Sequence, residues 1–272
     1  MTKILKKPKI GLALGSGAIR GLAHVGVIKA LLKHQIPIDY LSGSSIGAWV
    51  GAHYGLFQDI RLLEKLMIGN KKEKLFSFLE PSFEGGIIKG EKVEKLLKDW
   101  LTDASFKDLK IPLWVAATDL ASGQEVVLKS GKLAPAVRIS MSIPGLFKPV
   151  LEKNKILVDG GACNPVPDNL AKKMGADIVI AVNLDHFTAE KASRINLDFT
   201  TIAERTMLVV RHHLAQKNMR DADIIIQPPL NKYASWKEYF VKDVGDSIIR
   251  VGERAAERAM PLIQKKIRDF NK

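Results

Sequence analysis

The chain has 272 residues, 42 Lys and Arg against 29 Asp and Glu, and a formal net charge of +13. Its 46% hydrophobic content supplies a real core and excludes disorder, and the length suits one large α/β domain or two small ones. The one cysteine, Cys163, excludes an internal disulfide, and no Cys/His spacing reads as a zinc site, so neither metal nor cofactor is expected and a reducing, cytoplasmic setting is.

The N-terminus, Met1 to Lys9, is basic, but the apolar stretch after it is broken by Gly11, Gly15, Ser16, Gly17 and Arg20, which argues against a signal peptide. No segment offers the ~18 uninterrupted apolar residues of a membrane-spanning helix. Short β-branched runs then alternate with longer amphipathic stretches, the pattern of a mostly parallel sheet covered by helices. Strands are predicted at Lys9–Leu14, Ile38–Ser42, Leu113–Thr118, Glu125–Leu128, Ile156–Val158, Asp177–Asn183 and Asp223–Gln227. Helices are predicted at Arg20–His34, Ser45–Leu56, Asp59–Ile68, Glu91–Leu101, Leu133–Ser142, Pro165–Met174, Thr200–Arg220 and Ser247–Phe270. In the first, Leu22, Val25, Ile28, Leu31 and Leu32 fall on one side at helical spacing. Three stretches read as loops: Lys71–Gly90, rich in Phe and Gly and equally a candidate flap or an aromatic loop packed onto the body, and His186–Asn196 and Pro228–Gly245, both expected at an edge of the sheet.

Three motifs carry chemistry. Gly43-Ser44-Ser45-Ile46-Gly47 is a G-x-S-x-G between a strand and a helix, where a nucleophilic serine on a sharp turn needs small neighbours two residues either side. The helix that follows aims free N–H groups and its positive dipole end toward developing negative charge. Gly15-Ser16-Gly17-Ala18-Ile19-Arg20-Gly21 also follows a strand and opens a helix, leaving backbone N–H groups in a concave turn that suits a pyrophosphate or an oxyanion. The oxyanion is favoured, because no acidic residue stands at the end of a second strand to hold a ribose, and a P-loop lysine is missing. Val158-Asp159-Gly160-Gly161 places an acid at the end of a short strand, followed by two glycines that relax the backbone beside it. By itself this reads better as a turn aspartate.

Together these blocks resemble the patatin-like phospholipase family, and closely its bacterial members. Gly15 to Val27 is similar to that family's glycine-rich oxyanion block, Gly43 to Ala48 to its nucleophile elbow, and Asp159-Gly160-Gly161 to its D-G-[AG] motif. Arg138-Ile139-Ser140-Met141-Ser142-Ile143-Pro144-Gly145-Leu146-Phe147 resembles the segment between elbow and acid. The resemblance implies a three-layer α/β/α fold with a mostly parallel central sheet, a catalytic core over residues 8–172 and a continuation of the same domain over 173–272. It implies a serine lipid acyl hydrolase with a Ser45–Asp159 dyad, an oxyanion hole formed by Gly15, Ser16, Gly17 and Ala18, and motif support from Arg20, Gly21, Gly43, Gly47, Gly160 and Gly161. Ser16 and Ala18 stand where many members have glycine.

Two other readings stay open: a Ser–His–Asp triad esterase for small soluble esters, with His186 as the base, or a regulatory protein in which the chemistry is incidental. His212 and His213 fall in a helical stretch, and His24 near the glycine loop suits a local hydrogen bond. Cys163, close to the acid, is a potential target of thiol reagents. Arg20 reads as a structural partner of the loop, with a headgroup contact as the alternative. The charge suggests peripheral attraction to anionic phospholipid through Lys3, Lys6, Lys7, Lys9, the run Lys65–Lys74 and the final helix with Arg250, Arg254, Arg258, Lys265, Lys266, Arg268 and Lys272. Each cation near such a surface contributes about 1 kcal/mol. The expected partner is a phospholipid or other acyl ester; no nucleic-acid motif accompanies the charge.

Overall fold

A computed structural model of the chain describes residues 7–69, 86–185, 187, 197–230 and 244–270. Its strands are β1 (Ile10–Leu14), β2 (Tyr40–Ser44), β3 (Gly86–Ile88), β4 (Leu113–Asp119), β5 (Glu125–Leu128), β6 (Gly145–Phe147), β7 (Val150–Glu152), β8 (Lys155–Asp159), β9 (Ile178–Val182) and β10 (Ile224–Ile226). Its helices are α1 (Leu22–Lys33), α2 (Ile46–Phe57), α3 (Ile60–Ile68), α4 (Glu91–Trp100), α5 (Leu133–Ser140), α6 (Asp168–Lys173), α7 (Phe199–Asn218) and α8 (Gly245–Asp269).

The main sheet runs β10–β9–β1–β2–β4–β8–β7, with β5 also paired to β4. From β10 to β4 the pairs are parallel; β8, β7 and β5 join antiparallel, so the sheet is mixed. The central strands are apolar on both faces because both faces are covered. Leu12, Leu14, Ile178, Ile180 and Val182 point into one large core with α1, α2 and α8, while Ala13, Val179 and Ala181 point into a second with Ala171 of α6 and Ala215 of α7. Period-2 alternation thus sorts large side chains to one face and small ones to the other. The result is three layers, as the resemblance implied.

Helix starts follow local chemistry. Asp59 caps α3, accepting from the Arg61 and Leu62 N–H groups, and Asp198 caps α7, accepting from Thr201. The first and last helices lie against each other with no room for side chains at the crossing. A Cβ on Gly26 would stand 1.9 Å from the Ile249 carbonyl oxygen, and one on Gly252 would stand 2.1 Å from that of Ala23.

Several boundaries differ from the sequence reading for physical reasons. β2 continues through Gly43 and Ser44, which pair with Val115 and Ala116 of β4, so α2 starts at Ile46 rather than Ser45. A 3-10 turn, Ala18–Gly21, precedes α1, which starts at Leu22 rather than Arg20. α6 starts at Asp168, not Pro165: Val166 precedes Pro167 and so is biased away from helical backbone, and the Pro165 carbonyl accepts the Ser16 N–H instead. α5 stops at Ser140 rather than Ser142, whose carbonyl accepts from the Asp159 N–H. The short strands β3, β6 and β7 were not predicted. The Lys71–Gly90 stretch is described only from Gly86, where β3 pairs with β6; residues 70–85, most of His186–Asn196 and residues 231–243 lie outside the described residues.

Candidate active site

Register alone brings two of the predicted residues together. Ser44, the last residue of β2, pairs with Ala116, and Asp159, the last residue of β8, pairs with Ala117. Ser45 and Asp159 therefore flank β4 at the same level from opposite sides. Both are buried, and the Ser45 Oγ donates to Asp159 Oδ2 at 2.5 Å. The other carboxylate oxygen accepts from the Gly161 N–H at 2.7 Å.

The Ser45 backbone has φ 55° and ψ −123°, a conformation that costs a non-glycine residue about 1–3 kcal/mol and needs outside support. Ser140 of α5 supplies it. Its buried hydroxyl accepts from the Ser45 N–H at 2.8 Å and donates to the Ala116 carbonyl at 2.6 Å. The following turn admits no side chain at Gly47, where a Cβ would be 2.0 Å from the Leu14 carbonyl oxygen. Gly43 lies within β2 against the backbone of Ala48, and Gly21 lies against Ile46. A Cβ at Gly160 would be 2.3 Å from the Ala116 carbonyl oxygen, and one at Gly161 would be 2.8 Å from Ser16 Oγ, so the two glycines after Asp159 let its turn press onto β4 and onto the glycine-rich loop.

Within that loop the four candidate oxyanion residues divide. The Gly15 N–H donates to the Val182 carbonyl at 3.0 Å and the Ser16 N–H to the Pro165 carbonyl at 2.8 Å. Both amides are spent on holding the loop to its neighbours, which removes Gly15 and Ser16 as oxyanion donors. No such tie to a neighbouring segment, among the described residues, holds the N–H groups of Gly17 and Ala18. Ala18, like Ser45, has a positive φ, at 49°. His24 Nε2 lies 2.8 Å from the Gly15 carbonyl, and burial pushes its pKa down to about 4, so it is a neutral donor to the loop.

Arg20 is buried and points inward. Its Nη1 donates to the Leu184 carbonyl at 2.8 Å, Nε to the Gly17 carbonyl at 3.4 Å, and Nη2 to Asp185 Oδ1 at 3.1 Å. It is a structural partner of the loop rather than a headgroup contact. Asp185 is fully buried and also accepts from Arg211 of α7, through Nη2 at 2.7 and 2.9 Å and Nε at 3.2 Å. Arg211 Nη2 reaches Ser16 Oγ as well, at 2.9 Å. Ser140, Asp185 and Arg211 were not singled out in the sequence. Signals existed: Asp185 follows an apolar strand at its carboxyl end, where α/β folds place functional groups, and Arg211 interrupts the apolar run Leu208-Val209-Val210.

Burial raises the Asp159 pKa above the usual carboxylate range; Arg211, the Ser45 hydroxyl and the Gly161 amide pull it back without overcoming the desolvation. Burial likewise raises the Cys163 thiol, whose Sγ lies 3.1 Å from Thr118 Oγ1, an environment that makes it a poor target for thiol reagents. His212 is buried with Nδ1 2.8 Å from the Asp185 carbonyl, and His213 is exposed. His186 lies outside the described residues. No group of three or more potential metal ligands occurs among the described residues, and no described helix is long and apolar enough to cross a membrane.

The model of the family described as patatin-like phospholipase matches residues 12–171, a span that contains the glycine-rich loop, Ser45 and Asp159. The chain belongs to the patatin-like phospholipase family. A Mycobacterium tuberculosis protein named "uncharacterized NTE family protein" is 35% identical over 181 residues, covering 65% of this chain and 49% of that relative. The rat patatin-like phospholipase domain-containing protein 7 is 30% identical over 190 residues, 68% of this chain and 14% of its own length. The chain thus spans about half of the mycobacterial relative and a small part of the mammalian one. Among solved structures, VipD from Legionella pneumophila matches with a TM-score of 0.56 over 94% of this chain and 67% of its own, at 15% identity, a likeness of patatin fold.

Proposed function

We propose that this patatin-like chain is a serine lipid acyl hydrolase in which Ser45 is the nucleophile and Asp159 the general base. The single observation that carries the reading is the buried 2.5 Å hydrogen bond from Ser45 Oγ to Asp159 Oδ2 at the start of α2. Asp159 takes the hydroxyl proton as Oγ attacks the ester carbonyl, and negative charge moves to the carbonyl oxygen. The N–H groups of Gly17 and Ala18 and the positive end of α2 face that oxygen. Protonated Asp159 then returns its proton to the departing alcohol, leaving an acyl-Ser45 ester, and a water molecule repeats the cycle to release the fatty acid. A carboxylate with a raised pKa is the stronger base for taking the Ser45 proton in the first half of each step.

Hydrolysis of an acyl ester by wild type, Ser45→Ala, Asp159→Asn and His186→Ala tests this. Loss in the first two variants with His186→Ala unaffected is expected; collapse in the His186 variant refutes the dyad. Comparing phospholipid vesicles with soluble ester separates a lipid hydrolase from a small-ester esterase. The basic charge would add attraction to anionic membrane, though part of it is already used: Lys9 pairs with Asp39, Lys33 with Glu257 and Lys266 with Asp223. Binding to anionic but not neutral vesicles, weakening with salt, is the expected result.

A further inference from the structure

The buried ions around Asp159 come from inside the family-matched span, with Arg20, and from beyond it, with Asp185 and Arg211. Asp159 and Asp185 are two buried carboxylates, and the cations beside them are Arg20, from the glycine-rich loop, and Arg211, from α7. Arg20 spends Nε and Nη1 on backbone carbonyls and gives only Nη2 to Asp185. Arg211 grips both Asp185 oxygens and also donates to Ser16 Oγ, its side chain only 18% exposed. Ser16 Oγ is packed onto Gly161, whose N–H holds Asp159 Oδ1. The Arg211 guanidinium is thus one hydroxyl away from the turn that carries the candidate base.

We infer that Arg211 is a positioning residue: clamped by Asp185, it presents to Asp159 the countercharge that keeps this carboxylate in its base form. The inference rests on the dyad reading and adds to it a residue on α7. The groups facing Asp159 from each packed element are consistent with that role. Ser45 and Gly161 donate to its carboxylate, Thr118 Oγ1 donates to its carbonyl, and its N–H goes to the Ser142 carbonyl. None of these carries a charge. Cys163 is held as a thiol, and Asp185 is of the wrong sign. Arg211 is the largest influence opposing desolvation of Asp159, and Asp185 and then Asp159 in turn outweigh burial in holding Arg211 protonated.

The test is the pH dependence of two free-enzyme rates: covalent labelling of Ser45 by a fluorophosphonate, and kcat/KM for a p-nitrophenyl ester. Arg211→Gln should move the acid limb upward by about one pH unit, so that labelling just below the limb falls roughly tenfold. Arg211→Lys, a cation without the fork that Asp185 grips, should move it in the same direction by less. A folded Arg211→Gln, checked by its thermal transition, with its limb on that of wild type overturns the inference. If Arg211→Gln does not fold, Arg211→Met, a neutral chain of similar length, takes its place, and an unmoved limb there does so. Asp159→Asn separates the two levels: if it keeps wild-type rates the dyad reading itself falls, whereas an inactive Asp159→Asn beside an unmoved Arg211→Gln limb removes only the role of Arg211.

Discussion

Replacing Ser140 by alanine removes one hydroxyl that serves two buried backbone groups, neither of which is part of the proposed chemistry. The Ser45 N–H loses its acceptor at 2.8 Å and the Ala116 carbonyl loses a donor at 2.6 Å. An unmet buried polar group costs about 1–3 kcal/mol, so Ser140→Ala should cost about 2–4 kcal/mol of stability. For a chain of this size that lowers Tm by about 5–10 °C. Ser45 also loses the contact that holds its left-handed backbone, and fluorophosphonate labelling should slow about 10–100-fold, because small errors in placing a nucleophile are costly. Ser44→Ala is the contrast. The Ser44 hydroxyl is buried one residue away and has no hydrogen-bond partner among the described residues, so its removal should leave stability within about 1 kcal/mol of wild type or raise it. Chemical unfolding and labelling of both variants decide the matter. A Ser140→Ala protein as stable and as reactive as Ser44→Ala would refute the view that α5 holds the nucleophile in place.

Three further outcomes follow from the same geometry. Gly47→Ala should lose at least about 3 kcal/mol or fail to fold, since its Cβ would sit 2.0 Å from the Leu14 carbonyl oxygen; a Tm near wild type contradicts the described elbow. Asp159→Asn should be inactive yet more stable than wild type at pH 7: the folded Asp159 pKa is raised, so its ionised form opposes folding above that pKa, and the gain should vanish as pH falls toward 4. Thermal scans across that range test the sign, and a variant less stable at pH 7 refutes it. Ala18→Gly should stabilise by up to about 1 kcal/mol by relieving φ 49°, read from urea unfolding, and a loss would show that the methyl group packs usefully.

What was legible in the sequence is what short-range pattern dictates. Gly43 to Gly47 and Asp159 to Gly161 announce themselves because a sharp turn beside a reactive group restricts residues within two positions. Apolar strands flanked by amphipathic helices gave the layered architecture for the same reason. Three-residue strands such as β3 and β6 are too short for an alternation to register. The Ser140, Asp185 and Arg211 contacts depend on partners far along the chain: Arg211 meets Ser16 only because β9 returns beside β1 and α7 packs over both. The division of the oxyanion candidates was equally hidden, since it turns on which carbonyls, Val182 and Pro165, happen to face the loop.

The crossing of α1 and α8 at Gly26 and Gly252 has a temporal side. During synthesis the groove of α1 is complete long before the chain that fills it exists, and β1 must likewise wait for β9 on one edge. Contacts of such sequence separation close late and leave apolar surface open in the interval. The nascent chain, more than the finished protein, is therefore the form most exposed to aggregation and most dependent on chaperones, and mutations at Gly252 should reduce soluble yield before they alter the proposed site.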